Sequence, residues 1–153
     1  KIIGSKISFL QDNQSISQRG VLRGMHYQKP PFGQGKLVRC TQGSVFDVIV
    51  DLRISSNTFK FWGGIELNSK NNYQLWVPPG FGHGFLSFEN ETIVQYKVTD
   101  FWSKENERSL IWNDQLLKIN WPLEKINISH PILSRKDSLG KTFKDAESKG
   151  DIF

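Results

Sequence analysis

The strongest strand signal in the chain is Ser44-Val45-Phe46-Asp47-Val48-Ile49-Val50-Asp51-Leu52. This run is rich in β-branched and aromatic residues, which pack well on a pleated sheet. Residues 36–40 precede it, and Thr41-Gln42-Gly43 lies between the two segments. A short connection ending in glycine predicts a hairpin-like turn that joins two strands.

Strand signals recur along the chain about every ten residues, a spacing typical of an antiparallel sandwich or barrel. Further strands are predicted at residues 7–11, 59–67, 73–77, 84–88, 93–99 and 109–112. A helical pattern is confined to residues 136–149, and no repeat or linker marks a second domain. The sequence predicts one all-β barrel over residues 1–153 with a short helical C-terminal tail.

The composition of the chain limits the number of domains and the cellular compartments that are expected. A chain of 153 residues suits a single core, and no stretch approaches the roughly 20 apolar residues that cross a bilayer. The lone cysteine, Cys40, cannot form an internal disulfide, so the cytoplasm is the expected compartment. The first residues contain neither an initiating Met nor a signal-like apolar run, so we expect that sequence upstream is missing.

The charge balance favours an anionic partner, because the chain has 20 basic residues and 15 acidic ones. A nucleic acid, an acidic surface and a phosphorylated small molecule would all fit this balance. The basic residues are scattered singly along the chain, which disfavours the nucleic acid.

Two patterns suggest other chemistries and fit them poorly. Gly140-Lys141-Thr142 is similar to the end of a phosphate loop, but Arg135 stands where the first glycine belongs. Metal-binding barrels of the cupin type place two histidines close together, whereas His26 is followed by Tyr27 and Gln28. One imidazole per segment makes a poor metal site, so we predict no metal.

The segment Gly20–Gln28 places Arg23 three residues before His26, so strict strand alternation would put them on opposite faces. Gly24 between them could allow a bulge that brings both side chains to one cavity. A surface arginine and a core histidine are the alternative, which this segment alone favours.

Two further residues have both a structural and a functional interpretation. His83 follows the turn Pro78-Pro79-Gly80 and lies between glycines, as at the ligand-binding mouth of a barrel. A buried histidine bonded to a backbone carbonyl is equally compatible with this pattern. Tyr96 shares one strand face with Val94 and Val98, which by itself indicates a core residue.

Taken together and in order, nine segments resemble the dTDP-4-dehydrorhamnose 3,5-epimerase family over nearly the whole chain. They are Gln11–Ser15, Gly20–Gln28, Gly35–Arg39, Gly43–Val48, Asp51–Arg53, Pro78–Phe85, Tyr96–Asp100, Trp121–Leu123 and Pro131–Asp137. The resemblance implies a cupin-like double-stranded β-helix, or jelly-roll, barrel. It also implies an isomerase that inverts C3 and C5 of dTDP-4-dehydro-6-deoxy-D-glucose without a cofactor. The implied partners are this dTDP-linked keto sugar and a second copy of the chain, with neither nucleic acid nor membrane.

By the same resemblance, His26 is the base that removes a proton beside the keto group, and Tyr96 is the acid on the opposite face. Asp137 orients the histidine, and Lys36 lies near the keto oxygen. The substrate-binding positions implied by the resemblance are Arg23, for the diphosphate, and Gln11, Asn13, Asp47, His83, Trp102 and Lys136. This chemistry is physically sound, since an α-proton becomes removable only when the enolate is stabilised.

The chain departs from the family pattern in two places. The family has strands that precede the segment matching Gln11 and reach a partner subunit, and we expect these strands to be missing here; Trp102 stands where many members have a tyrosine. Relatives on this scaffold also include enzymes that epimerise a single carbon. That activity and a non-catalytic module that binds sugar nucleotides remain the alternatives.

Overall fold

The computed structural model describes residues 6–153, so the expectation about the first five residues concerns a part of the chain outside this range. Ten strands lie in this range, and the first eight of them end at Val98. They are β1 Gln11–Ser17, β2 Val21–Gln28, β3 Lys36–Gln42, β4 Ser44–Asp51, β5 Trp62–Asn68, β6 Gln74–Val77, β7 Phe81–Ser87, β8 Thr92–Val98, β9 Glu107–Ser109 and β10 Ile132–Leu133. A 3-10 helix at Leu123–Ile126 lies between β9 and β10, and two α-helices, α1 Arg135–Ser138 and α2 Phe143–Ser148, follow β10.

The strands form two sheets. The smaller sheet has the order β1-β8-β3-β6, and the larger has the order β10-β2-β7-β4-β5, with β9 also paired to β2. All pairs are antiparallel except β10 with β2. The chain passes repeatedly from one sheet to the other, as in a jelly roll, which confirms the predicted all-β, cupin-like fold.

The hairpin predicted between β3 and β4 is wrong. At Gly43, whose φ is 72°, the chain leaves the smaller sheet and enters the larger one. β3 pairs with β6 and β8, whereas β4 pairs with β5 and β7. The reason is that Val38 and Cys40 of β3 and Val45 of β4 contribute to the same buried cluster, which they reach from opposite sides.

Several predicted boundaries also shift. The strand expected at residues 7–11 lies at Gln11–Ser17, where a mostly polar inward face masks the apolar alternation. The strand expected at 109–112 lies at Glu107–Ser109, and the remaining strands move by a few residues at their ends. The helical tail is two short helices rather than one, because Gly140 packs directly against the backbone of Leu110.

The phosphate-loop-like residues serve structural roles. The Lys141 ammonium forms an ion pair with Asp151 at 2.6 Å. The Thr142 hydroxyl accepts a hydrogen bond from the Asp145 N–H at 3.1 Å and thereby caps α2.

Two apolar clusters hold the fold together. The outer face of the larger sheet packs against the C-terminal third of the chain, through Leu110, Leu117, Trp121, Phe143 and Ala146 among others. A second cluster lies between the sheets and contains Val38, Cys40, Val45, Leu67, Val77, Phe85 and Val94. Ile49, Leu75, Phe81 and Tyr96 pack against this second cluster. None of the helices in residues 6–153 has the length and apolarity needed to cross a membrane.

Candidate active site

A bulge in β2 turns Arg23 and His26 toward the same side of the larger sheet. The register between β2 and β7 shifts between these residues, which lie opposite Phe85 and His83 respectively. Gly24 has a φ of 132°, and a Cβ there would lie 2.5 Å from the Gly84 Cα. Directly opposed residues share a sheet face, so Arg23 and His26 both face the space between the sheets. The predicted bulge at Gly24 is confirmed.

His26 is paired with Asp137, a residue of α1 that is 111 positions away in sequence. Its Nε2 lies 2.6 Å from Asp137 Oδ1. Burial pushes the pKa of Asp137 upward, but hydrogen bonds from His26, Ser134 and the Gly24 N–H together hold that pKa below its ordinary value. The carboxylate is therefore ionised at neutral pH and accepts the imidazole proton.

Burial lowers the pKa of His26 below its ordinary 6.5, although the nearby Asp137 carboxylate opposes this shift. The imidazole is consequently neutral at pH 7. With the Nε2 proton donated to Asp137, the lone pair on Nδ1 is left to act as a base.

Lys36 provides a buried cation beside this dyad. Lys36 is 7% exposed, and its ammonium donates a hydrogen bond to the backbone carbonyl of His26 at 3.3 Å. Burial lowers the pKa of Lys36 to about 8, with Asp47 and then Glu107 opposing the shift. At neutral pH most of the Lys36 side chains therefore keep their charge.

Tyr96 reaches the site from the smaller sheet. It packs against the cluster between the sheets, on the same strand face as Val94 and Val98. Burial raises the pKa of Tyr96 above its ordinary 10.0, an effect that the Arg23 guanidinium opposes. The phenol is thus protonated at neutral pH, and it shares the inter-sheet space with Arg23.

Three of the predicted binding residues meet at the start of β1. The Gln11 side-chain amide donates to Asn13 Oδ1 at 2.7 Å, and the Trp102 backbone N–H donates to Gln11 Oε1 at 3.2 Å. Trp102 is more than half exposed. Arg23 is held nearby, since its guanidinium donates to Ser17 Oγ at 3.1 Å and to the Ile16 carbonyl at 3.2 Å.

His83 bonds a carboxylate rather than a backbone carbonyl. Its Nε2 lies 2.8 Å from Asp47 Oδ1, and both residues are buried. The site therefore contains a second His–Asp pair, set deeper than the pair of His26 and Asp137.

Two residues of the site are absent from the sequence-based predictions; Ser134 had a signal in the Ser-x-x-Asp capping pattern that it forms with Asp137, whereas Glu107 had none. Glu107 on β9 forms an ion pair with Lys136 and acts electrostatically on both Lys36 and Tyr96. Ser134 donates its hydroxyl to Asp137 Oδ2 at 2.6 Å. Glu107 lies in a polar stretch without strand periodicity, and only its pairing opposite Gln28 of β2 places it on the inward face.

A metal site is not evident in this part of the protein. Among residues 6–153, no three His, Cys, Asp or Glu side chains come together in a way that could hold a metal ion. His26 and His83 lie opposite each other, but each ring bonds a single carboxylate.

Comparison with known proteins places this geometry in a family. The sequence profile described as dTDP-4-dehydrorhamnose 3,5-epimerase matches residues 1–145. The enzyme of that name from Pseudomonas aeruginosa is 53% identical over 144 residues, which cover 94% of this chain and 77% of the relative.

Solved structures agree with the sequence match. A Mycobacterium tuberculosis epimerase superposes with a TM-score of 0.92 at 34% identity, covering 95% of this chain and 72% of its own. The Legionella pneumophila dTDP-6-deoxy-D-glucose-3,5-epimerase, solved with dTDP-4-keto-L-rhamnose, gives a TM-score of 0.89 at 42% identity, covering 97% and 76%. By sequence and by structure, this chain belongs to the dTDP-4-dehydrorhamnose 3,5-epimerase family.

Proposed function

We propose that the chain inverts C3 and C5 of dTDP-4-dehydro-6-deoxy-D-glucose to give dTDP-4-dehydro-L-rhamnose. The observation that carries this proposal is the position of His26 and Tyr96 on opposite sheets, facing one space, with His26 paired to Asp137. The keto sugar bound by the Legionella relative supports the choice of substrate.

His26 removes the proton from the carbon next to the ketone. Because its imidazole is neutral in the resting protein, Nδ1 can accept that proton. The ionised Asp137 holds the ring in one tautomer and stabilises the imidazolium that forms.

Lys36 stabilises the enolate. Negative charge develops on the keto oxygen as the α-proton leaves, and a fixed cation lowers the energy of that state. The effect is strong because Lys36 is buried, where the effective dielectric constant is lower than in water.

Tyr96 returns a proton to the opposite face of the same carbon. Its raised pKa keeps the phenol protonated, so a proton is present when the enolate forms. Removing the proton from one face and delivering a proton to the other inverts the carbon. His26 of the larger sheet and Tyr96 of the smaller sheet supply the two groups.

In this proposal, the nucleotide and the sugar are held by five residues: Arg23, Gln11, Asn13, Trp102 and Lys136. The hydrogen bonds from Arg23 to β1 fix the guanidinium, whose planar donors suit a diphosphate. The exposed Trp102 ring offers a stacking surface for the base.

The direct test incubates the protein with the keto sugar in deuterated water and follows both carbons by NMR. Deuterium at C3 and C5, with formation of the L-sugar, is expected. Deuterium at one carbon would replace the proposal with a single-carbon epimerase. Tight binding of dTDP without any exchange would replace it with a non-catalytic binding module.

We also propose that the chain works as a homodimer in the cytoplasm. Within residues 6–153, the smaller sheet ends at β1 and β6, whose outer edges could pair or pack with another copy. The single, buried Cys40 is compatible with a reducing compartment. Light scattering at micromolar concentration tests the assembly, and a strictly monomeric mass would contradict it.

A further inference from the structure

Asp47 carries a buried carboxylate that the proposed steps do not use. It lies on the inward side of β4 and is 0% exposed. Oδ1 accepts a hydrogen bond from His83 Nε2 at 2.8 Å, whereas Oδ2 has no hydrogen-bond partner within residues 6–153. Buried charge without compensation is costly, so its presence calls for a compensating group nearby.

Lys36 is the buried cation next to this carboxylate, since its ammonium bonds the His26 carbonyl and His26 lies opposite His83, the partner of Asp47. Its ammonium is buried, and its hydrogen bond goes to a neutral acceptor, the His26 carbonyl. Among the anionic groups around it, Asp47 stabilises the charged ammonium most, followed by Glu107. Lys36 and Asp47 therefore compensate each other's burial although they belong to different sheets.

We propose that Asp47 and His83 act on the site through Lys36: His83 fixes the Asp47 carboxylate, and Asp47 keeps the Lys36 ammonium charged. That the ammonium serves the keto oxygen rests on the proposed function, whereas its charge state is a property of the chain alone. Asp47 and His83 then act through Lys36 and need no contact with the substrate.

The other groups around Lys36 come from several elements. Those that act on Lys36 directly are His26 on β2, Asp47 on β4, Glu107 on β9 and Lys136 on α1, while His83 on β7 bonds Asp47 and Tyr96 on β8 is influenced by Glu107. Of the anions among them, Asp47 is fully buried, whereas the Glu107 side chain is 20% exposed and is already paired with Lys136. Asp47 is consequently the anion whose removal should affect Lys36 most.

The first experiment compares pH profiles of kcat and KM for the full chain and for Asp47→Asn. The alkaline limb assigned to Lys36 should move about one pH unit lower in the variant, because a neighbouring charge shifts a pKa by roughly 1–3 units. KM below that limb should stay unchanged. His83→Gln, which keeps an N–H donor for Asp47, should leave the limb in place, whereas His83→Leu should move it lower, by no more than Asp47→Asn does.

A matched control is Asp51→Asn, which also removes a buried carboxylate from β4 but lies away from the groups around Lys36. It should lower thermal stability and leave the alkaline limb in place. An Asp47→Asn variant with a raised KM and an unmoved limb would overturn the proposal in favour of a substrate contact.

The second experiment needs no substrate. Protein labelled with ¹³C at the lysine ε-carbons is titrated by NMR, and the Lys36 signal is identified by its absence in Lys36→Met. Its midpoint should lie near 8 in the unsubstituted chain and lower in Asp47→Asn. Equal midpoints would overturn the proposal even if the epimerase is active, and a clear shift would uphold it even if no turnover is found.

Discussion

His26 on β2 lies directly opposite His83 on β7, and the two rings bond different carboxylates, Asp137 at 2.6 Å and Asp47 at 2.8 Å. The His26 side chain is 26% exposed, whereas the His83 side chain is 7% exposed. Two chemically similar pairs therefore stand side by side with different access to a ligand. The greater exposure of His26 to a ligand favours it as the base. The more buried His83 is better suited to a structural role inside the protein.

Replacing His26 by Ala should abolish both deuterium exchange and product formation, because no enolate forms without proton abstraction. A general base in this role contributes about 10²–10⁴-fold in rate. Proton NMR in deuterated water measures both quantities in one experiment. Exchange at the unsubstituted rate would assign the base to another group.

Tyr96→Phe should stop product formation while some exchange continues, since His26 can still take a proton and return a deuteron to the same face. The ring, which packs against the cluster between the sheets, is retained, so the fold should survive. A tyrosine that served only in packing would tolerate Phe with full turnover, and that result would refute the two-face assignment.

Asp137→Asn should lower kcat by about 10²–10⁴-fold with little change in KM, because the ring of His26 loses the charge that stabilises its protonated form. Ser134→Ala is the milder comparison, since it removes one hydrogen bond to the same carboxylate. Its loss should be near tenfold, as expected for about 1.4 kcal/mol. Equal losses in the two variants would contradict this order.

The pH profile of kcat/KM should be a bell whose alkaline limb lies near 8, the pKa of Lys36, because the charged ammonium is the active form. The acid limb should lie below 6.5, since burial lowers the pKa of His26. Lys36→Arg should retain its charge and lose the alkaline limb. A limb above 10 would instead report Tyr96, whose pKa is raised.

Asp51→Asn should lower the free energy of unfolding by about 1–3 kcal/mol at pH 7, since it removes the charge of a buried carboxylate that accepts hydrogen bonds from Arg53, Ser56 and Thr58. Burial pushes the pKa of Asp51 upward, but hydrogen bonds from Arg53, Ser56 and Thr58 hold it well below its ordinary value. This stabilisation is therefore present above the unfolded pKa of about 3.9 and is lost as the pH falls below it.

Urea unfolding at several pH values measures that difference, which should shrink toward acid pH. Asp12→Asn is the control, because Asp12 and Lys97 form a largely exposed ion pair at 2.9 Å. Such surface pairs contribute about 0–1 kcal/mol. A control loss as large as that of Asp51→Asn would contradict the argument from burial.

Local sequence accounts for the features that depend on one strand or one turn. The side chains of Tyr96, Val94 and Val98 share a face because successive side chains in a strand alternate. The bulge at Gly24 follows from glycine's access to a φ of 132°. The all-β class follows from the spacing of the strand signals. The family and its implied site residues were predicted from the motifs and their order along the chain.

Only the tertiary structure decided the contacts between distant segments. The short connection between β3 and β4 indicated a hairpin, but the two strands lie in different sheets. Burying Val38 and Val45 in one cluster outweighs local pairing of the strands. The tertiary structure also placed Glu107 opposite Gln28 and brought Asp137 to His26 across 111 residues. The physical reason is that alternation and turns arise from the sterics of neighbouring residues, whereas sheet assignment and charge pairing depend on which buried groups compensate one another.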